Sequence, residues 1–382
     1  MLVPHPLEAT KDQHLSREPS QAPSSRLALI QKSLQKKGFS GPVSKAMSQS
    51  IRPSTLEVYE AKWQVWVRWC GQRKVNQDNP SIPQVADFLH SLHTVKNLAP
   101  STIEGYKTAL HVTFRYTGGP DVSGNQEIVN LLRFYSSKPK LVKDLPDWDL
   151  SFVLVALTQP PYEPLSSATL MDLTLKTYFL LLLASGRRRS ELLAIDIRRT
   201  ETKEHGQSLF LFPNKAFVPK TQAALEATGK AFSPILLPSL SSTLAKDDPD
   251  SFFCPVRAYH AYLHRTKPFR GSRNSLFLPA QAGRKSDLRV NTLTSWTKRL
   301  ISDVYQTANP QTKRLYNIRP HAIRGLATSL AEASGASMAD ILRAGTWTNH
   351  TTFSSFYLSD ATVLRDNLKR LSPLVVAQHR LC

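Results

Sequence analysis

The chain has 382 residues, and its 49 Lys and Arg outnumber its 29 Asp and Glu to leave a formal net charge of +20. This excess favours nucleic acid as a partner because each neutralised phosphate releases condensed counterions, although ribosomal and membrane-surface proteins are basic as well. No apolar run approaches the roughly 20 residues of a membrane span, and the N-terminal segment lacks a signal-peptide core. The three cysteines are too widely spaced for a disulfide framework or a metal site. We therefore expect a soluble intracellular protein with no membrane partner.

The first part of the chain predicts a disordered tail followed by a helical domain. Residues 1–25 are polar, contain prolines and lack periodicity, which predicts disorder. A helical domain is predicted over residues 26–138, with a short pattern before residue 49 and four helices that start near Pro53, Pro83, Pro100 and Glu127. Apolar side chains recur on one face of the first of these four: Tyr59, Trp63, Trp66 and Cys70. We therefore expect the aromatic residues to form a core rather than to stack on bases.

The opposite faces of these helices carry the side chains that we predict to contact DNA. Basic and hydroxyl side chains are common donors to phosphate oxygens. The candidates are Lys62, Arg68, Lys107, Thr108 and Arg115. For each of them, an ordinary solvated helix face is the alternative interpretation.

A basic, proline-containing stretch predicts a linker over residues 139–147, followed by a second domain over residues 148–382. Helical patterns in this domain cover residues 148–157, 170–184, 256–266, 290–306, 321–333, 338–344, 351–357 and a C-terminal stretch from about 360. Short strands are predicted at residues 208–212 and 234–237. The second domain is therefore predicted to be mostly helical with a small sheet.

Three short segments of the second domain hold the residues suited to chemistry: 184–193, 319–325 and 345–357. Metal-free phosphoryl transfer needs cations for the non-bridging oxygens, a nucleophile, and a general acid for the leaving oxygen. Arginine suits the first task because its guanidinium is forked and permanently charged. His321 and Arg324 share one helical face, and Arg188 follows a helix junction opened by Gly186. Tyr357 is the only tyrosine after His321.

The order of these motifs resembles that of the tyrosine recombinase/integrase family. The pattern G-x-R-x-S-E-L is followed by H-x-x-R, then by G-x-W and a tyrosine. Before them, S-T-x-x-x-Y-x-x-x-W and P-S-T-I-x-x-Y-K look like the SAM-like core-binding domain of that family. Residues 148–150, 160–165 and 373–378 look like the recombinases of DIRS- and Ngaro-type eukaryotic retrotransposons. The resemblance covers residues 26–380 and implies a mainly α fold, in which the helical core-binding domain precedes an α+β catalytic domain with a small antiparallel sheet.

The resemblance implies a role for each matching residue of the arginine segments. Arg188 and Arg324 resemble the two arginines that clamp the scissile phosphate. Arg187 and Arg189 are neighbours that could be confused with the first of them. Glu191 resembles the acidic partner that orients the site, and an ordinary helix salt bridge is its alternative.

The remaining reactive positions match the family as well. His321 resembles the phosphate-contacting histidine, which acts as a hydrogen-bond donor or as a base toward the nucleophile. Tyr357 resembles that nucleophile, which forms the 3′-phosphotyrosyl link. Trp347 stands where the family has His or Trp and would donate its indole N–H to the phosphate, whereas a core tryptophan is the alternative.

The family's general acid is a lysine on a β-hairpin between the two arginine segments. Lys220 is our candidate for this role. Lys215 and Lys230 stay open, because loop lengths vary in this part of the family and spacing does not decide among the three.

Two details depart from the family pattern. Trp347 and Tyr357 are separated by one residue more than is usual in bacterial members. Thr346 is an extra residue between Gly345 and Trp347. His350 therefore competes with Trp347 for the same role.

The implied activity is metal-independent recombination or integration of double-stranded DNA, with no nucleotide cofactor. The two domains would enclose the duplex, and a tetramer would form the synapse. The apolar stretch 374–377 would dock between protomers or cap its own domain. A mobile-element origin and a nuclear location follow from the retrotransposon resemblance. Two alternatives are a DNA-binding protein that has lost catalysis and a type IB topoisomerase, although the SAM-like domain disfavours the latter.

Overall fold

The computed structural model describes residues 25–137, 148–203, 207–220, 226, 234–240, 249–279, 287–311, 318–333 and 335–347. The chain divides into two compact units, an N-terminal unit Met1–Leu141 and a C-terminal unit Val142–Cys382. Almost all of the predicted tail, the linker at 139–147 and the two helices predicted beyond residue 350 lie outside the described residues.

The N-terminal unit is helical throughout its described residues. Its helices are α1 (Arg26–Lys36), α2 (Gly41–Ser48), α3 (Pro53–Arg73), α4 (Ile82–Thr94), α5 (Pro100–Thr117) and α6 (Gln126–Ser136). Proline in the first turn starts α2, α3, α4 and α5, since the missing N–H has no partner to lose there. The Ser81 hydroxyl and the Gln84 side chain form a capping box at the start of α4.

Aromatic side chains form the core of the N-terminal unit. Trp63 and Trp66 on α3 are fully buried. Their rings meet Phe114 and Phe88 edge to face, with centroids 6.2 Å and 5.0 Å apart. This geometry suits the quadrupoles of aromatic rings, and it leaves neither indole face open to a base.

The C-terminal unit combines helices with a small sheet. Its helices are α7 (Leu150–Ala156), α8 (Leu170–Ser185), α9 (Arg189–Leu193), α10 (Pro255–Thr266), α11 (Val290–Ala308), α12 (Pro320–Ala333) and α13 (Met338–Ala344). The strands are β1 (Glu201–Lys203), β2 (Ser208–Leu211) and β3 (Ile235–Pro238). They form an antiparallel sheet in the order β1-β2-β3, with Thr202 opposite Leu209 and Leu209 opposite Leu237.

Helix α8 runs through the centre of the C-terminal unit. Every residue from Leu173 to Ser185 is buried, because α10, α11 and α12 all pack against this helix. Its nearly continuous apolar sequence is therefore that of a core helix, which buries apolar surface on all sides. The end of α8 delivers the arginine segment to the interior of the unit.

The observed elements differ from the predicted ones at a few boundaries. Strand β1 was not predicted, because its three residues are polar and exposed and lack an apolar alternation. Strand β2 ends at Leu211, one residue before the predicted end, and α7 is shorter than predicted at both ends.

An ionic cluster around the buried pair of Glu163 and Lys176, here called the lysine cluster, ties the α7–α8 loop to α8 and α10. It consists of Glu163, Lys176 and Arg257. The carboxylate of Glu163 accepts a hydrogen bond from the fully buried Lys176 and two from Arg257, at 2.5 Å and 2.9 Å. Lys176 Nζ also donates to the Leu157 carbonyl at 2.7 Å. Both oxygens of the carboxylate are thus satisfied by cations.

Candidate active site

The site begins where α8 ends. Gly186 caps the helix with φ +56°, a left-handed conformation that glycine adopts without strain. A Cβ atom at this position would lie 3.3 Å from Cγ2 of Thr328 on α12. Glycine therefore lets α12 approach the turn that leads into the arginine segment.

Glu191 organises the start of the next helix. Its side chain is 1% exposed, and its Oε2 accepts a hydrogen bond from the backbone N–H of Arg188 at 3.3 Å. Its Oε1 accepts a second hydrogen bond from Arg188 Nη1 at 2.8 Å. One carboxylate therefore caps α9 and fixes the guanidinium beside it. The site-orienting role of Glu191 stays a prediction, and this contact is the geometry it requires.

The guanidinium of Arg188 also reaches the segment after α13. Nη1 donates to the hydroxyl of Thr346 at 3.1 Å. The side chain is 14% exposed, so it is not fully enclosed by the protein. Arg188 is therefore held by two separate parts of the C-terminal unit.

Arg324 is held by the same segment. Arg324 is 1% exposed, and its Nη2 donates to the carbonyl of Gly345. Its Cζ lies 3.9 Å from the centroid of the Trp347 ring, within the range of a cation–π contact. The two arginines that were predicted as a phosphate clamp thus converge on residues 345–347.

The ring of Trp347 lies directly against the backbone of Gly345. A Cβ atom on Gly345 would lie only 1.8 Å from Cζ3 of the indole. The absence of a side chain at position 345 therefore lets the indole occupy its place under Arg324. Trp347 is 7% exposed, so it packs as a core residue while it contacts a predicted site residue. A contact of its indole N–H with phosphate stays a prediction.

The neighbouring arginines have different surroundings. Arg187 is 2% exposed and donates from Nη2 to the Pro234 carbonyl at 3.0 Å. Burial lowers the pKa of Arg187 to about 10, and the nearby Glu191 opposes that shift. Arg189 donates to the hydroxyl of Thr294 on α11. The three consecutive arginines thus contact three different parts of the unit. Of these hydrogen bonds, the one to residues 345–347 comes from Arg188.

Arg187, Arg188, Glu191 and Arg324 are here called the arginine cluster. Sequence reasoning did not anticipate three residues that belong to this cluster or support it. Arg187 was treated as a source of confusion, Thr346 as an extra residue, and Gly345 as part of a motif. The position of Gly345 two residues before a tryptophan was the available signal for close packing.

The candidate lysines lie in the connection from β2 to β3. Asn214 anchors the start of this connection, because its backbone N–H donates to the Ala194 carbonyl at the end of α9 at 2.8 Å. The contact of Arg187 with Pro234 anchors its end. Both ends of the connection are therefore tied to the arginine segment.

Within this connection the choice of general acid stays open. Lys215 and Lys220 are exposed in turns. Lys230 lies outside the described residues. Lys220 remains our prediction on the family resemblance.

Of the other predicted reactive residues, only His321 lies within the described residues. His321 lies in the first turn of α12, three residues before Arg324, the separation at which helix neighbours share a face. Tyr357 and His350 lie outside the described residues. The described chain ends at Trp347, ten residues before the predicted nucleophile.

The predicted DNA contacts of the N-terminal unit lie on α3 and α5. Lys62 packs across α5, with Nζ 4.4 Å from the Tyr106 ring centroid and 3.4 Å from the Thr102 carbonyl oxygen. Burial lowers the pKa of Lys62. Arg68 is exposed on α3 and donates to the Gln64 carbonyl at 3.2 Å.

On α5, Lys107 pairs with Glu104 at 2.6 Å, and its side chain is 12% exposed. The Thr108 hydroxyl donates to the Glu104 carbonyl, whereas Arg115 is exposed. The more exposed arginines are thus better placed for phosphate than the two lysines. A DNA-binding role for all five stays a prediction.

The described residues contain no group of three or more His, Cys, Asp or Glu side chains arranged to hold a metal ion. None of the helices in that part of the chain has the length and apolar character that a membrane crossing requires.

The sequence matches no family model and no curated protein. The fold is that of tyrosine recombinases, as similarity to solved structures shows. A lambda integrase tetramer bound to a Holliday junction has 13% identity and a TM-score of 0.50, over 90% of this chain and 80% of its own. The Tn1549 transposon integrase in complex with transposon right end DNA has 15% identity and a TM-score of 0.50, over 91% of this chain and 100% of its own. The predicted fold class is therefore confirmed.

Proposed function

We propose that the protein is a tyrosine site-specific recombinase that cuts and rejoins DNA through a covalent 3′-phosphotyrosyl intermediate. The observation that carries this proposal is the convergence of Arg188 and Arg324 on residues 345–347. The chain that leaves this segment reaches Tyr357 after ten further residues. The fold of the solved integrases supports the same class of activity.

The surroundings of the two guanidiniums suit them to bind a phosphate in its transition state. The hydroxyl of Thr346 and the carbonyl of Gly345 orient the guanidiniums without adding negative charge, and Glu191 is the carboxylate that pairs with Arg188. A pentacoordinate phosphorus concentrates negative charge on two non-bridging oxygens. Preorganised donors aimed at this charge lower the barrier, typically by about 3–4 kcal/mol for each donor.

The reaction is a transesterification at phosphorus. The Tyr357 hydroxyl oxygen forms a new P–O bond as His321 accepts its proton, or as a water molecule does where the histidine serves as a donor. The bond from phosphorus to the 5′-oxygen breaks, and this oxygen takes a proton from Lys220. One phosphodiester replaces another, so rejoining by a new 5′-hydroxyl needs no nucleotide cofactor.

Several finer properties are part of the same proposal. Double-stranded DNA is the substrate, and Lys62, Arg68, Lys107, Thr108 and Arg115 are its proposed contacts in the N-terminal unit. The lambda integrase tetramer on a Holliday junction supports a tetrameric synapse for this chain. Integration of a mobile element, an affinity with DIRS- and Ngaro-type recombinases, and a nuclear location rest on the sequence resemblance alone.

A library of suicide substrates tests the proposal without knowledge of the target site. Each duplex carries random sequence and a nick one nucleotide 3′ of the candidate scissile phosphate, so that cleavage releases a mononucleotide and traps the protein. We expect SDS-resistant protein–DNA adducts with the wild type and none with Tyr357→Phe. An adduct that forms equally with this variant would overturn the assignment of the nucleophile.

The two alternatives give different results in the same experiment. A DNA-binding protein without catalysis would enrich particular sequences but form no adduct. A topoisomerase would form the adduct and relax supercoiled plasmid, yet would not exchange strands between two copies of a recovered site. Strand exchange between such copies is the outcome that we expect.

A further inference from the structure

Thr346 occupies a backbone position that threonine rarely adopts. Its φ is +53°, in the left-handed region where β-branched residues are strained. Its N–H donates to the Arg343 carbonyl at 3.1 Å, and the N–H of Trp347 donates to the Leu342 carbonyl at 2.9 Å. This pair of hydrogen bonds is the Schellman motif that ends many helices, in which glycine is the usual residue at the position of Thr346.

The hydroxyl of Thr346 has a specific partner. The residue is 6% exposed, and its Oγ1 accepts the hydrogen bond from Arg188 Nη1 at 3.1 Å. A glycine would adopt the same backbone without strain but would lack this acceptor. Strained residues persist where the surrounding structure holds them, often at functional sites. The contact with Arg188 supplies a reason for a threonine at this position.

The hydrogen bonds of Arg188 explain what the hydroxyl contributes. Nη1 donates to Glu191 and to Thr346, which uses both hydrogens on that atom. The guanidinium is therefore fixed against rotation. Its remaining N–H groups, on Nε and Nη2, have no acceptor among the described residues. These are the groups that a bidentate anion would occupy.

We propose that Thr346 is a positioning residue, whose hydroxyl turns the Nε–Nη2 edge of Arg188 toward the scissile phosphate. The identity of the anion rests on the proposed function, whereas the fixed orientation of Arg188 does not. Thr346, the extra residue between Gly345 and Trp347, thus holds Arg188 of the arginine cluster in place.

Three substitutions separate the hydroxyl from the backbone. Thr346→Val keeps the β-branched shape and loses the hydroxyl, whereas Thr346→Ser keeps the hydroxyl. Thr346→Gly loses the hydroxyl and also relieves the strain. We expect the cleavage rate to fall in the two variants that lack the hydroxyl. Thermal stability should instead depend on whether the residue at position 346 is strained in the left-handed backbone conformation.

Single-turnover adduct formation on a recovered suicide substrate is the first measurement. We expect Thr346→Val and Thr346→Gly to react about 10- to 100-fold more slowly than wild type, the usual cost of losing an outer partner that orients a functional side chain. Thr346→Ser should cleave within about 3-fold of the wild-type rate. The DNA affinity of all three variants should change by less than about 3-fold, because most protein–DNA contacts are made to the DNA backbone by other residues.

Thr266→Val is the matched control. Thr266 is 1% exposed in the same unit, and its hydroxyl likewise accepts a hydrogen bond from a buried arginine, Arg270, at 3.0 Å. Loss of this hydroxyl should affect thermal stability but leave the cleavage rate unchanged. An equal loss of cleavage in Thr266→Val and Thr346→Val would show that the effect is merely structural.

The guanidinium signals of Arg188 test the orientation independently of catalysis. In ¹⁵N-arginine spectra of the full chain, the Nη groups of Arg188 should rotate slowly in wild type and Thr346→Ser, and faster in Thr346→Val. Equal rotation in wild type and Thr346→Val would overturn the inference. If wild type forms no adduct but the spectra differ as expected, the proposed function fails and the positioning role stands.

Discussion

The C-terminal unit contains two clusters of ionic side chains, each around a buried carboxylate, that are built in different ways. In the lysine cluster, Lys176 and Arg257 surround one carboxylate, and both of its oxygens bind cations. In the arginine cluster, Glu191 binds Arg188, but neutral oxygens also hold the guanidiniums: the Thr346 hydroxyl and the carbonyls of Gly345 and Pro234.

The difference teaches how one unit uses buried charge for two purposes. In the lysine cluster both cations pair directly with the carboxylate of Glu163, and these contacts fix the fold locally. The arginine cluster has one carboxylate, Glu191, for three guanidiniums, and neutral oxygens orient them, so positive charge remains that can be offered to an anion. Loss of the first kind of contact should therefore affect stability, and loss of the second kind should affect reaction rate.

The largest expected effect is on stability, in the lysine cluster. Glu163→Gln removes the carboxylate and leaves the fully buried Lys176 beside Arg257 without a negative partner from this cluster. We expect a loss of about 3–5 kcal/mol in the free energy of unfolding, measured by denaturant titration, because an uncompensated buried charge is costly. Lys176→Met is the matched control, since Arg257 continues to pair with Glu163, and its effect should be much smaller. A loss below about 1 kcal/mol in Glu163→Gln would contradict this account.

The pH dependence of stability sharpens the same contrast. Burial lowers the pKa of Lys176 to about 8 from the model-compound value of 10.5, although Glu163 opposes the shift. The unfolded chain therefore binds more protons than the native state between these two pH values, and stability attributable to Lys176 rises with pH across that window. The difference in unfolding free energy between wild type and Lys176→Met should move in favour of wild type as pH rises. If this difference does not change with pH, burial does not lower the pKa of Lys176.

A smaller effect is expected from an added methyl group in the arginine cluster's support. Gly345→Ala places a Cβ atom 1.8 Å from Cζ3 of Trp347, so the indole must move away from Arg324. We expect a loss of about 1–3 kcal/mol in stability, as for other overpacked cores, together with slower adduct formation. Gly71→Ala is the control, because a Cβ atom there meets nothing within 4 Å and helix α3 should gain slightly in stability. If Gly345→Ala is destabilised but cleaves DNA at the wild-type rate, the position of the Trp347 indole does not affect the reaction.

Most of the helices could be predicted from local sequence patterns, because an apolar run or a proline at a helix start acts within a few residues. The apolar run of α8 and the prolines that start α3 and α5 are strong local signals. Strand β1 gave no signal, since its three polar residues pair through their backbone. The lysine cluster escaped prediction because Glu163 and Arg257 lie 94 residues apart and meet only in the folded chain.

The two arginines of the candidate site could be predicted from the sequence, but the residues that hold them in position could not. Arg188 and Arg324 stand out by motif, and their convergence required the fold. The contact of Thr346 with Arg188 depends on a left-handed backbone that sequence patterns do not predict for threonine. The choice among the lysines stays open because it depends on the path of the chain between β2 and β3, most of which lies outside the described residues.

The central claim is that the arginine cluster stabilises negative charge on a scissile phosphate, and a neutral substrate tests it most directly. In a methylphosphonate, a methyl group replaces one charged non-bridging oxygen of the scissile group. Arg324→Ala should cleave the phosphate substrate at least about 100-fold more slowly than wild type, and this deficit should shrink by about 10-fold or more on the methylphosphonate. Because both substrates are tested on the same protein, a change in the folded fraction cancels from the ratio. The same deficit on both substrates would contradict the account.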